Sequence, residues 1–233
     1  MSPAAPQRPI ARLAALAALA LLVIAGSALL GPTRVGWADI LGPADGGTPG
    51  YFWQFRAPRT ALAALAGAGL AIGGVIFQSL LRNPLAEPYT LGIAGGASLA
   101  AACGYLFGVG GTWLGLPQLG LLAMVGALAA LAVVFAVARS RSGQDMTRLL
   151  LAGVCVAYLC AAGILLVFHL ANVAITNEIV IWMMGSLATL RPRAAGEIAL
   201  VLVPVLAYAL YAHRALDLLS MGEHLAASRG VPV

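Results

Sequence analysis

The sequence predicts an all-α fold, a polytopic transmembrane helix bundle, and three observations carry that prediction. Hydrophobic residues make up 61% of the 233 residues. Charged residues make up only 9%, whereas a soluble domain carries about a quarter. Apolar runs near the length of a spanning helix, about 20 residues, recur along the chain. The composition therefore excludes a water-soluble domain and indicates a membrane protein.

The apolar runs predict six membrane spans in a single transmembrane domain covering residues 1–233. The runs lie near residues 13–31, 60–81, 91–109, 115–138, 149–171 and 195–212. The first run is longer than the apolar core of a signal peptide, roughly 7–15 residues, so we predict an uncleaved first helix. The segment 174–190 is too broken to span and predicts a short helix within the bundle or at its interface.

The arginines predict the orientation of the chain in a cytoplasmic membrane. All 13 basic residues are Arg, and they lie near the ends of apolar runs. A cytoplasmic N-terminus places eight of them inside and five outside, in the direction of the positive-inside rule. The scattered arrangement favours membrane topology over a nucleic-acid surface.

The sequence contains no recognisable enzymatic motif. Walker A, HExxH and GxSxG motifs are missing, and the three cysteines have no metal-ligand spacing. We therefore expect no catalytic residue, no metal site and no cofactor. The spans hold almost no ionisable side chain, which disfavours a self-sufficient secondary carrier. An intramembrane enzyme is disfavoured for the same lack of buried reactive groups.

Two arginines before the second span predict a docking surface. Arg56 and Arg59 are three residues apart, with Pro58 at the start of the helix. Basic residues on the outer side oppose the positive-inside bias. An acidic extracytoplasmic partner would explain them, although arginines at a membrane interface are the simpler alternative.

The stretch "LRNPLAEPYTLGIAGGASLAA", residues 81–101, predicts a charged turn between two spans. Pro84 and Pro88 prevent a continuous helix. Irregular backbone is excluded from lipid, so this turn belongs at the cytoplasmic edge or beside a protein-walled cavity. The glycines that follow predict a closely packed helix that could line a pathway, and a plain helical hairpin is the alternative.

The C-terminal stretch, residues 214–233, predicts two short helical pieces joined at Gly222. Apolar and charged side chains alternate in it, as in amphipathic helices that insert into a partner's groove. An interfacial tail is the alternative.

Four stretches together resemble the FecCD-type permease family, the membrane subunits of type II ABC importers. They are residues 55–101, "TRLLLAGVCVAYL" (147–159), "WMMGSLATL" (182–190) and "LDLLSMGEHLAASRGV" (216–231), in the family's order. Members import iron-siderophores, haem or cobalamin. The resemblance implies a non-enzymatic subunit that works by alternating access. It also implies cytoplasmic ABC ATPase subunits, an extracytoplasmic binding protein and a second permease subunit as partners.

The resemblance also implies roles for individual residues. Docking of the binding protein is implied for Arg56 and Arg59. A cytoplasmic gate of the pathway is implied for the set Asn83, Leu85, Met146 and Thr147. Coupling to the ATPase is implied for the region 214–231, through Gly222, Glu223, Ala226 and Gly230.

The resemblance further implies a fold of ten spans, whereas this sequence has six predicted spans. We therefore expect a C-terminally truncated member of the family. Iron-siderophore uptake is the expected function because it is the commonest in the family. Haem and cobalamin are the alternatives, because the apolar spans offer no distinctive polar set.

Overall fold

The computed structural model confirms a predominantly helical chain. It describes residues 9–30, 52–84, 86–113, 116–140, 143–144, 146–185, 187 and 194–230. The α-helices are α1 (Pro9–Leu29), α2 (Ala57–Leu81), α3 (Ile93–Leu106), α4 (Gln118–Ala138), α5 (Met146–Leu170), α6 (Val173–Met184), α7 (Ala194–Tyr211), α8 (His213–Ser220) and α9 (Glu223–Ser228). A π-helical turn, Phe52–Arg56, leads into α2, and a 3-10 turn, Pro88–Leu91, precedes α3.

The described helices contain fewer full-length spans than the six predicted. Four are long and apolar enough to cross a membrane, namely α1, α2, α4 and α5. A fifth span results if α7 and α8, which meet at a bend of 62°, are counted as one. The third predicted span, 91–109, corresponds to α3, which has only 14 residues because the 3-10 turn and Gly92 occupy its predicted start.

Two short strand pairs connect helices, and neither was expected from the sequence. Thr112–Trp113 (β1) pairs with Leu116–Pro117 (β2) between α3 and α4. Arg139–Ser140 (β3) pairs with Gly143–Gln144 (β4) between α4 and α5. These two-residue ladders are turns in the connections and leave the all-α class unchanged. The predicted short helix within 174–190 is confirmed as α6, with Asn172 capping it through a bond of 2.9 Å from the Ile175 amide.

Close contacts divide the chain into two units. The first comprises Met1–Ala68 and Leu187–Leu202, and the second comprises Gly69–Ser186 and Val203–Val233. In the first unit, α1 exposes nearly all of its apolar side chains. A helix that is apolar all round needs lipid or other helices around it, which suits a membrane protein.

The core of the second unit forms where α3, α4 and α5 meet. Buried residues from all three helices join one cluster, with Val134 fully buried at its centre. A methyl group at Gly96 of α3 would lie 2.5 Å from the Gly126 carbonyl oxygen and from Ala130 Cβ of α4. The two helix backbones can approach so closely only because both positions lack a side chain.

The 3-10 turn packs against α5 in the same manner. Gly92 has φ +72°, a left-handed conformation that favours glycine, and ends the turn. A Cβ at Gly153 of α5 would lie 2.5 Å from the Thr90 carbonyl oxygen and 2.8 Å from Leu91 Cα. Leu91 is buried beside Ala152 and Val156 in the same cluster. This turn thereby fixes where α3 begins.

Candidate functional site

The two outer arginines have different surroundings, although their spacing predicted one shared side of the helix. Arg56 ends the π-helical turn and is half-buried. Its Nη1 donates to the carbonyl oxygens of Leu29 at 3.1 Å and Ala28 at 3.4 Å. Both carbonyls lie in the last turn of α1, where no amide of the helix reaches them. Arg56 therefore caps the C-terminus of α1, where the helix dipole favours a cation.

Arg59 lies in the first turn of α2 and is exposed. Aromatic side chains precede the pair, and the Phe52 and Trp53 rings meet edge-to-face with centroids 5.2 Å apart. Phe52 is buried, whereas Trp53 is 54% exposed. Trp at the end of a span is typical of a membrane–water interface. Of the two arginines, Arg59 offers the more accessible charge to a partner.

The proline-containing turn after α2 has the local geometry that its sequence indicates. The Ala86 amide donates to the Asn83 carbonyl at 3.0 Å, and Pro84 occupies the second position of this four-residue turn. Asn83 is half-buried, and Leu85 lies outside the described residues. Arg82 has φ +48°, a left-handed conformation that costs energy for a residue with a Cβ. We name residues 82–86 the gate turn, after the role that the resemblance implies for Asn83 and Leu85.

The start of α5 lies near the gate turn through a shared core. Met146 and Thr147 are the first two residues of α5; Thr147 is exposed, and the Met146 side chain lies outside the described part of the chain. Leu149, on the same first turn, belongs to the buried cluster that also contains Leu81 and Ala86 from either side of the gate turn. The structure therefore connects the two predicted gate segments to one buried cluster of the second unit.

The glycines after the gate turn serve helix packing. A Cβ at Gly95 would lie 3.2 Å from Cys160 Cβ of α5, and Gly92 and Gly96 face α5 and α4 as described above. All three positions therefore face neighbouring helices of this chain. The predicted close packing of this helix is confirmed, since small residues are suited to close helix contact, and its role as a pathway wall stays a prediction.

The C-terminal residues form the two helices predicted from the sequence. Gly222 separates α8 from α9 with φ +125° and ψ 147°, a conformation that is essentially restricted to glycine. The Glu223 side chain is outside the described residues, and Ala226 is fully buried. Ala226 is thus a packing residue, while Gly230, with φ +81°, follows α9. We name α8, Gly222 and α9 the coupling element.

A cleft between the end of α2 and the end of α8 was not apparent in the sequence. It has a volume of about 300 Å³. Its lining residues are Val75, Gln78, Ser79, Arg82, Asn83, Pro84 and Ser220. The spacing of the α2 residues by three and four indicates one helix face. No local signal connects that face to Ser220, about 140 positions later, so sequence reasoning had no means of finding the cleft.

The described part of the chain shows no evident site for metal binding or thiol chemistry. No group of three or more His, Cys, Asp or Glu side chains there could hold a metal ion. Cys160 is buried, Cys103 is half-buried and Cys155 is exposed on α5.

The fold and the site together define a multi-pass helical membrane protein with a proline-containing turn after α2 and a short amphipathic helix, α8, before Gly222. The model of the FecCD transport family matches residues 14–233, and the chain belongs to that family. The match confirms the resemblance found in the sequence.

Two curated relatives carry the same name in different strains. The vitamin B12 import system permease protein BtuC of Escherichia coli O17:K52:H18 (strain UMN026 / ExPEC) is 35% identical over 198 residues. BtuC of Escherichia coli strain K12 / DH10B is likewise 35% identical over 198 residues. Each alignment covers 83% of this chain and 59% of the relative, so the chain spans about three-fifths of the relatives' length.

A solved structure has the same fold. It is described as an inward-facing conformation of a metal-chelate type ABC transporter. The superposition has a TM-score of 0.72 at 26% sequence identity, and it covers 94% of this chain and 66% of that one. The helical architecture of this chain is therefore similar to that of a chain from an ABC transporter.

Proposed function

We propose that the chain supplies helices of the permease subunit of an ATP-driven importer. The observation that carries this proposal is the family match over residues 14–233, which includes both the gate turn and the coupling element. In such a machine, ATP binding and hydrolysis on separate subunits would switch the permease between outward-open and inward-open states. Coupling requires that cargo and partners bind the two states with different affinity.

The coupling element is the proposed contact for a cytoplasmic ABC ATPase. In α8, Leu216 and Leu219 are half-buried, whereas Asp217 and Ser220 are exposed, so the helix is amphipathic. A short amphipathic helix can insert into a groove of a partner protein. The backbone of Gly222 sets the direction of α9 relative to α8, and Glu223 begins α9.

The gate turn and the start of α5 form the proposed cytoplasmic gate. Both segments share a buried cluster through Leu81, Ala86 and Leu149. Because packed side chains transmit displacement, a shift of α5 would move the gate turn with it. Asn83, Leu85, Met146 and Thr147 are the proposed gate residues in these two segments.

The outer face is the proposed docking surface for an acidic substrate-binding protein. Arg59 would provide an accessible positive charge, and opposite charges on two partners speed their encounter. Arg56 would contribute while it also caps α1. A second permease subunit, identical or different, completes the proposed assembly, with the N-terminus of this chain in the cytoplasm.

The proposed cargo is a large metal chelate. Relatives at 35% identity are named for vitamin B12 import, which makes cobalamin the first candidate. The structural neighbour is described as metal-chelate type, which keeps an iron-siderophore, the cargo expected from the sequence, as the second.

The cargo can be tested by uptake into proteoliposomes. The product of the complete gene is reconstituted with its ATPase and binding protein, and cyanocobalamin and a ferric siderophore are offered separately with ATP inside. We expect ATP-dependent accumulation of one of them and none with an ATPase that cannot hydrolyse ATP. Accumulation of cobalamin alone would exclude the siderophore candidate. Uptake that persists without ATP would contradict the importer proposal.

A further inference from the structure

We propose that the hydroxyl of Tyr158 donates a hydrogen bond to the cargo halfway across the membrane and thereby contributes to cargo specificity. The inference rests on the proposed function, because it needs a cargo that passes along α5. Tyr158 belongs to neither the gate turn nor the coupling element. The cargo group that fits is an oxygen acceptor, such as an amide carbonyl or a carboxylate, because the phenolic O–H is a donor.

The depth of Tyr158 in its helix sets it apart. It lies twelve residues from both ends of α5, Met146 and Leu170, which is about 18 Å along the helix axis. Four of the described helices are long enough to span, namely α1, α2, α4 and α5. In the middle third of these four described helices, every side chain other than Tyr158 lacks a nitrogen or oxygen atom.

Tyr158 lies on the open face of α5. Leu149 and Val156 represent the opposite face, which belongs to the buried cluster. Tyr158 itself is 74% exposed. Leu151 and Leu165 lie seven residues to either side of it, about two helical turns, and both are exposed. The described helices therefore leave this face of α5 open.

Hydrocarbon is a poor neighbour for the Tyr158 hydroxyl. Tyr side chains of spanning helices concentrate at the membrane–water interfaces, where the hydroxyl reaches water. A hydroxyl placed in hydrocarbon without a partner costs free energy. The open face of α4 differs, because its central residue, Leu128, is exposed and purely apolar. A polar group in the middle of an open face indicates a surface that lines a cavity or contacts protein.

The proposed gate favours a cargo pathway over contact with another helix. Thr147, one of the proposed gate residues, is exposed at the start of α5. Tyr158 follows it by eleven residues, about three turns, so the two residues lie on the same face. Cargo that leaves through the gate would therefore pass the Tyr158 hydroxyl. In a mostly apolar site, a few well-placed polar groups determine orientation and specificity.

Labelling with a quaternary-ammonium methanethiosulfonate, a charged and water-soluble thiol reagent, tests whether this face is wet. The product of the complete gene is assembled with its ATPase after its native cysteines are replaced by Ala. Tyr158→Cys is compared with Leu128→Cys, which places a thiol in the middle of the open face of α4. We expect Tyr158→Cys to react at least about tenfold faster, because a thiol in lipid rarely ionises to the reactive thiolate. Equal rates at the two positions would overturn the proposal.

Uptake by Tyr158→Phe tests the hydrogen bond itself, because this variant loses only the hydroxyl. Cyanocobalamin and a ferric siderophore are offered separately to proteoliposomes that contain ATP. We expect the uptake rate of the imported cargo to fall about fivefold, the factor that one neutral hydrogen bond provides, with the melting temperature unchanged. The cargo whose uptake falls identifies the source of the acceptor oxygen.

The matched control is Tyr208→Phe, which removes an exposed phenol near the end of α7 and should import at the rate of the unchanged protein. Unchanged uptake by Tyr158→Phe, or an equal loss in both variants, would overturn the proposal. Labelling needs no transport, so the two proposals can fail separately. If the unchanged assembly imports neither cargo, the importer proposal is wrong, and this contact with it. If it imports cargo while Tyr158→Cys reacts as slowly as Leu128→Cys, only the Tyr158 contact is wrong.

Discussion

At the scale of single residues, Arg56 shows how one side chain can have a structural and a functional assignment at once. Its guanidinium bonds the last carbonyls of α1 at 3.1 and 3.4 Å. Arg59, three residues later, is exposed. The spacing of the pair was visible in the sequence, but the carbonyls that Arg56 reaches are 27 and 28 positions away. No local pattern could reveal that contact, because it depends on how α1 and the π-helical turn meet.

We predict that Arg56→Gln and Arg59→Gln have separable effects. Arg56→Gln should lower the thermal stability of the detergent-purified protein by about 1 kcal/mol, because it removes charged donors from the end of α1. Arg59→Gln should leave the melting temperature unchanged and weaken association with the binding protein, measured by surface plasmon resonance. A stability loss in Arg59→Gln equal to that in Arg56→Gln would contradict this division of roles.

At the scale of elements, the sequence predicted most helices and missed the shortening of one. The observed ends of α2, α4 and α5 lie within about three residues of the predicted spans. The run 91–109 appeared long enough to span the membrane. Hydropathy does not detect the left-handed conformation of Gly92, after which α3 begins. The break at Gly222 was predicted correctly, because its neighbours change from one amphipathic pattern to another.

The glycine contact between α3 and α4 provides a second prediction. Gly96→Ala and Gly126→Ala should each destabilise the protein by about 1–3 kcal/mol, because the added methyl group would meet the facing helix. The control is Gly120→Ala on α4. In the described part of the chain, no heavy atom of a neighbouring residue lies within 4 Å of the new Cβ at this position. Thermal unfolding in detergent measures the differences. A Gly120→Ala variant as unstable as Gly96→Ala would contradict the close-packing account, because Ala has a higher helix propensity than Gly and should not destabilise an open position.

At the scale of the whole molecule, composition alone established the membrane class, while the roles of the loops depended on resemblance. Hydrophobic content and run length suffice for a helical bundle because the bilayer imposes them. They carry no information about cargo, since most large side chains exposed on the spanning helices are apolar. The cleft at Arg82 also escaped the sequence, because it forms between segments that are distant along the chain.

The central claim is that the coupling element transmits motion from an ATPase. The most direct test is co-purification of the product of the complete gene with its candidate ATPase in detergent. The variant combines Gly222→Pro, which forces φ near −65° where the chain has +125°, with Glu223→Arg. The control is Glu197→Arg, a charge reversal in the first turn of α7, outside the coupling element.

We expect the unchanged protein and the Glu197→Arg control to retain the ATPase, and the double variant to lose it while remaining folded by thermal unfolding. That result would support residues 213–228 as the contact through which ATP hydrolysis drives the permease. Retention of the ATPase by the double variant, or its absence from all three preparations, would contradict the account.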